Sequence, residues 1–175
     1  TMISALDSAG EWRFALSALA PGANTMCYNS ASSSSAKANE WQVSSQLLSR
    51  MCTTSGVSGV FLQPDLISFN SAITAGWIDK TEDRSDLAKQ IKEEMQEQRV
   101  APGVDTFRAL IQAQAVGSHW QRVITFLEEM QEMGLGHDSE TLRLSMEVLI
   151  QKPEAKSDAL RLYLQVEGQQ LKRPA

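Results

Sequence analysis

The stretch from Phe107 to Asp138, FRALIQAQAVGSHWQRVITFLEEMQEMGLGHD, reads as two amphipathic helices and a return turn, and it decides the fold class. Its spacing predicts a first helix over Val104 to Val116, with Phe107, Leu110, Ile111 and Ala115 on one face. Gly117 breaks that helix and Ser118 opens the next. The Ser118 hydroxyl can accept a backbone N–H while Gln121 reaches back, a reciprocal cap that stabilises a helix start by about 1 kcal/mol. Trp120, Val123, Ile124, Leu127 and Met130 form the second apolar stripe. Glu128, Glu129, Gln131 and Glu132 take the opposite side, and Gly134 supplies the left-handed residue that ends the helix. Neither helix hides its stripe alone, so pairing the two and stacking the pair on neighbours buries both.

Fainter copies of this pattern run along the chain. Trp41 lies thirteen residues beyond Tyr28, as Trp120 does beyond Phe107, and Gln42 stands to Asn39 as Gln121 does to Ser118. Phe69, Ala72 and Ile73 repeat Phe107, Leu110 and Ile111, and a partner stripe of Leu87, Ala88, Ile91 and Met95 follows. Lys92, Glu93, Glu94, Gln96 and Glu97 read as its solvated face. At the start, Met2, Ile3 and Leu6 suggest the tail of a helix over Thr1 to Ala9; Gly10 separates it from Trp12, Ala15, Leu16 and Leu19, and Pro21 and Gly22 end that pair. At the end, Leu142, Leu144, Met146 and Leu149 mark a helix over Ser139 to Ile150, and Pro153 suits the first turn of a last one carrying Ala159, Leu162, Tyr163 and Val166.

The opening residues Tyr28, Phe69, Phe107 and Leu142 are 41, 38 and 35 residues apart. Such periods signal a solenoid of helix pairs. The expected fold is all-α: an α-solenoid of about four to five antiparallel helix pairs forming a single helical-repeat domain over residues 1–175. Its units are 1–24, 25–65 with a surface insertion at 53–63, 66–103, 104–138, and 139–175 as a terminal cap. The run Ser30 to Ser35 has the composition of a linker, but the register on both sides makes it a helix, with Ser32 where Leu110 or Ile111 would pack. Serine is a poor helix-interior residue, so this helix should be the weakest of the stack.

Composition narrows the function. The net charge is −5, whereas a protein that neutralises phosphates normally carries surplus Lys and Arg. Cys27 and Cys52 sit in no metal-ligand spacing and are expected to be free, partly buried thiols. No run approaches the roughly 20 apolar residues a bilayer requires, and no stretch reads as a secretory signal. Asp79, Glu82, Asp83 and Asp86 crowd one turn without a second convergent acidic segment, and His119 and His137 stand alone. No catalytic, cofactor or metal site and no small-molecule substrate is therefore expected. Trp12, Trp41 and Trp120 are expected to serve the core, each contributing about 2–3 kcal/mol by burial.

The string Pro64-Asp65-Leu66-Ile67-Ser68-Phe69-Asn70-Ser71-Ala72-Ile73 resembles the junction between pentatricopeptide repeats, where Pro-Asp closes one unit and an aromatic-Asn opens the next. Tyr28-Asn29, the Trp at the second helix, and Leu47, Leu48 and Met51 agree with it. The resemblance covers most of the chain as four or five divergent units, similar to arrays abundant in unicellular algae. It implies a plastid or mitochondrial protein that binds single-stranded RNA one base per repeat, read by the residue after the opening aromatic and by the last residue of the unit. The implied pairs are Asn29 with Asp65, Asn70 with Gly103, and Arg108 with Asp138, followed by Arg143. Gly103 has no side chain to orient a base, and Arg108 and Arg143 depart from the small polar residue expected. Asp65 and Asp138 are also well placed as helix N-caps. Together with the acidity, these departures favour a non-catalytic scaffold or adaptor that binds protein subunits of an organellar assembly, with single-stranded RNA binding as the alternative.

Overall fold

A computed structural model describes residues 12–17, 19, 23–54, 62–78, 85–117, 119–157, 160, 161 and 164. Every regular element among them is helical: α1 (Trp12–Ser17), α2 (Thr25–Lys37), α3 (Trp41–Thr54), α4 (Leu66–Ile78), α5 (Ser85–Glu97), α6 (Val104–Gly117), α7 (Trp120–Glu132) and α8 (Ser139–Ile150), then a 3₁₀ turn at Pro153–Ala155. The fold is all-α and built of helix pairs in the manner of a solenoid. The expected helix at Thr1 to Ala9, the breaks at Gly10, Pro21 and Gly22, the Ser118 cap, the middle of the 53–63 insertion, Asp79 to Asp83, and Ala159, Leu162, Tyr163 and Val166 lie outside the described residues.

The chain divides into two compact units, Thr1–Pro102 and Gly103–Ala175. In the first, α2 packs on α1, α3 and α4, and α4 packs on α3 and α5. Tyr28, Ala31, Leu47, Met51 and Leu62 form one buried cluster there, and Phe69, Ala72, Ile73, Ala88, Ile91 and Met95 are buried further along. In the second unit α6 packs on α7 and α8. Phe107, Leu110, Ile111, Val123, Leu127 and Met130 are buried, and the Phe107 ring meets Phe126 edge-on, 6.3 Å between centroids at 62°.

The serine run is helical and explains itself once α3 is beside it. Ser32, Ser34, Ser35 and Ser44 are buried. Ser35 Oγ donates to the Ser32 carbonyl at 2.9 Å and lies 2.7 Å from Ser44 Oγ, which in turn donates to the Ser32 carbonyl at 3.1 Å. Small side chains let α2 and α3 approach, and the Ser35 and Ser44 hydroxyls bond at the contact, whereas Ser32 Oγ is buried without a hydrogen-bond partner among the described residues.

Three helices end in the same way. Asn39 (φ 63°), Arg99 (φ 59°) and Gly134 (φ 70°) are left-handed. The following N–H returns five residues, Glu40 to Ser35, Val100 to Met95 and Leu135 to Met130, at 2.9, 3.0 and 2.8 Å. This is the Schellman arrangement, which satisfies carbonyls that a helix end leaves over. Arg99 is the strained member, because an L-residue with a long side chain is disfavoured in the left-handed region by about 1–2 kcal/mol. Arg99→Gly is therefore expected to raise stability by about 0.5–1 kcal/mol, the gain being reduced by the extra freedom glycine gives the unfolded chain. A higher urea midpoint at unchanged slope would register it.

Several sequence expectations change. Asn39 closes α2 instead of capping α3, whose first turn is satisfied by the Glu40 carbonyl through Val43 and Ser44. α6 runs through Gly117, and α7 starts at Trp120 with His119 before it making no side-chain cap bond. Ala115 is exposed; Gln114, seven residues beyond Phe107 and so on its face, is fully buried instead. Lys92 is buried, not solvated, because it lies on the stripe of Ala88, Ile91 and Met95, where a lysine's long stem can pack as apolar surface. Trp12, Trp41 and Trp120 are half-buried, so each contributes less than full burial would; Trp120 packs against the Leu149 and Ala155 cluster.

Both cysteines are free and half-buried. Burial, reinforced by the hydrogen bond to Glu94 and its charge, pushes the Cys52 thiol from its ordinary 9.0 up to about 12. The raised value means that stability tied to the protonated thiol is whole below about pH 9 and is lost as pH climbs towards 12. At pH 8.5 the thiolate fraction of Cys52 is roughly a thousandfold below that of a free thiol, so iodoacetamide, which only the thiolate attacks, should modify it more slowly by up to that factor. Glu94→Gln should speed that reaction.

Candidate functional site

The leading helices α2, α4, α6 and α8 each follow one residue that sets their first turn: Asn24, Asp65, Gly103 and Asp138. Three residues on, the Cys27 N–H donates to Asn24 Oδ1 at 3.1 Å, Ser68 N–H to Asp65 Oδ1 at 2.9 Å, and Thr141 N–H to Asp138 Oδ1 at 3.0 Å. Gly103 has no side chain to offer, and its own N–H donates to Thr106 Oγ1 at 3.1 Å. The Asp65 N–H does the same to Ser68 Oγ at 3.1 Å. Both aspartates thus cap helices, at the spacing that an N-cap requires.

Asn29 is brought to Asp65 because α2 packs along α4. Its Nδ2 donates to both carboxylate oxygens, at 2.9 and 3.0 Å, and its Oδ1 accepts from Ser68 Oγ at 2.6 Å. The Ser68 hydroxyl also lies 3.0 Å from Asp65 Oδ1. With only 8% of its surface exposed, Asn29 is held on both ends of its amide. Ser68 is a member of this network that the sequence reading missed. The available signal was a Ser or Thr three residues after three of the four leading positions, as Ser68, Thr106 and Thr141; Cys27 stands at the fourth.

The corresponding place in the second unit holds Arg108 and Asp138. Arg108 Nη2 donates to Asp138 Oδ2, and Nη1 donates to Asp105 Oδ1 at 3.0 Å. Burial draws the Asp138 carboxyl upward, but hydrogen bonds from Thr141 and Arg108, with the Arg108 charge, outweigh it and hold the group below the usual carboxylate range. Arg143 pairs within its own helix, with Glu140 at 2.7 Å and Glu147 at 3.2 Å. Those bonds, Glu140 first, raise the arginine's pKa, and the Arg143 bond lowers that of Glu140. The structure thus brings Asn29 to Asp65 and Arg108 to Asp138. Asn70 lies on α4 in the first unit, while Gly103 opens the second.

Nothing in this arrangement forms an acid–base or nucleophilic pair. Among the described residues no group of three or more His, Cys, Asp and Glu could hold a metal ion, and no helix is long and apolar enough to cross a membrane. His137 Nε2 lies 3.1 Å from the Leu127 carbonyl, tying the turn after α7 back to that helix. Residues 59–116, spanning α4, α5 and most of α6, match the pentatricopeptide repeat domain. No curated protein matches the chain.

Proposed function

We propose, from the premise that residues 59–116 are a pentatricopeptide repeat segment, that this chain is a scaffold or adaptor that binds protein neighbours in an organellar complex. The whole chain, in the five units its spacing defines, serves as one non-catalytic helical-repeat domain. The observation that carries this reading is the closed bond circuit of Asn29, Asp65 and Ser68. A base would have to break charge-assisted bonds there before it could be read, and those are among the stronger hydrogen bonds of a protein. Arg108 and Arg143, at the equivalent positions, are paired with carboxylates. The net charge of −5 adds no attraction for a polyanion.

The alternative, single-stranded RNA binding, is favoured by the pentatricopeptide repeat match itself, since that family typically binds RNA, and by the Asn29 and Asp65 combination. A salt titration of binding to random-sequence RNA separates the two. The scaffold reading expects binding weaker than about 10 µM even at 50 mM salt. Micromolar or tighter binding with a steep salt slope, lost in Asn29→Ala and Asp65→Ala, would overturn it.

A further inference from the structure

The two units solve the same electrostatic problem differently. Asp138 Oδ1 accepts the capping N–H of Thr141, and Oδ2 receives the guanidinium of Arg108. Asp65 Oδ1 likewise accepts its capping N–H, from Ser68, but Oδ2 receives only the neutral amide of Asn29. Among the described residues every donor on Asp65 is uncharged: Asn29 Nδ2, Ser68 N and Ser68 Oγ. The first unit therefore carries a half-buried carboxylate with no cationic partner among the described residues, whereas the second unit pairs its own Asp138 with Arg108.

The residues around this carboxylate differ in the same register. Two places after the cap, the second unit has Asp105 and Glu140, whereas the first has Met26 and Ile67, exposed to 65% and 58%. Leu66, beside Ile67, is exposed to 37%. Thr25 Oγ1 donates to the Gln63 carbonyl at 3.3 Å, which sets the start of α2 beside the segment entering α4. Met26, Leu66 and Ile67 are thus an apolar rim at the edge that holds Asp65.

We infer that this edge is a docking point for an arginine on an apolar segment of a protein partner, its guanidinium on Asp65 Oδ2 and its neighbours on the rim. This inference rests on the scaffold reading and names the partner's chemistry. Arginine suits the place because its planar fork pairs with a carboxylate while its stem lies on apolar surface. Arg108 on Asp138 is the same contact made within the chain. A phosphate would meet an uncompensated negative charge instead.

The test uses the peptide acetyl-Leu-Arg-Leu-Arg-Leu-amide, titrated into ¹⁵N-labelled full chain. Saturable shifts are expected at the Ser68 and Ile67 amides. A peptide with citrulline, the neutral analogue, in place of arginine should bind at least about tenfold more weakly. Asn29→Arg gives the first unit an arginine of its own and should weaken the arginine peptide by a similar factor in a folded protein. Asp65→Asn, which keeps a capping oxygen, should do the same. Equal binding by the citrulline peptide, or by the Asn29→Arg variant, overturns the assignment. If neither the peptide nor RNA shifts these amides while a protein partner binds wild type and Asn29→Arg alike, the Asp65 assignment falls and the scaffold reading stands. If oligouridylate shifts them and the peptide does not, both fall.

Discussion

Replacing Phe107 by alanine is expected to destabilise the protein by about 3–5 kcal/mol, the range for emptying a fully buried aromatic site. No part of Phe107 is exposed, and its ring joins α6 to α7 through the edge-on contact with Phe126. Leu110, Ile111, Val123 and Met130 are themselves fully buried, so the surroundings have little freedom to collapse into the space. Phe107→Leu keeps most of the volume and loses the ring geometry, and about 1–1.5 kcal/mol is expected. Urea unfolding followed by circular dichroism measures both. Equal effects of the two variants would mean that ring packing, not volume, dominates the site.

Asp138→Ala removes two bonds at once and is expected to cost about 2 kcal/mol, the sum of a lost N-cap and a partly exposed ion pair. Asp138→Asn retains an oxygen for the Thr141 N–H and gives up the charge, so about half of that loss should return. Because the Arg108–Asp138 bond is lost in either single variant, removing both residues together should cost less than the separate losses added. The pH dependence has a fixed sign. Asp138 titrates below its ordinary 3.8 in the folded chain, so its contribution is whole above about pH 4 and is lost as pH falls through the lower folded value. Acid unfolding of the Asp138→Asn variant should lack that component.

How the fold could be read follows from these residues. Phe107, Leu110 and Ile111 recur as Phe69, Ala72 and Ile73, and all six are buried, so an apolar period of helical spacing was enough to place the leading helices. Gly134 was legible as a helix end because glycine tolerates its positive φ. Asn39 and Arg99 do the same work without glycine's signature. Asparagine serves at both ends of helices, so Asn39 reads as a cap of α3 although it closes α2. Lys92 reads as solvated when its charge is weighed above the period that puts it on the buried face, and the same period puts Gln114, not Ala115, on the face of Phe107.

The candidate site was legible in part. The resemblance named Asn29 with Asp65 and Arg108 with Asp138, and helix capping by Asp138 and Asp65 followed from aspartate before an apolar run. That each pair is joined by hydrogen bonds could not be read from spacing, since 36 and 30 residues separate the partners. Nor does composition distinguish an aspartate that meets an arginine from one that meets an amide. That difference separates the two units, and it arises from a single substitution of side-chain charge between Asn29 and Arg108.

The side-chain amide resonances of Asn29, followed in ¹⁵N spectra as oligouridylate is added at low salt, bear most directly on whether this face is closed to bases. Unchanged shifts up to about 1 mM RNA are expected, because Asp65 and Ser68 already hold both ends of that amide. Saturable movement of those resonances at micromolar RNA, absent in Asp65→Ala, would contradict it.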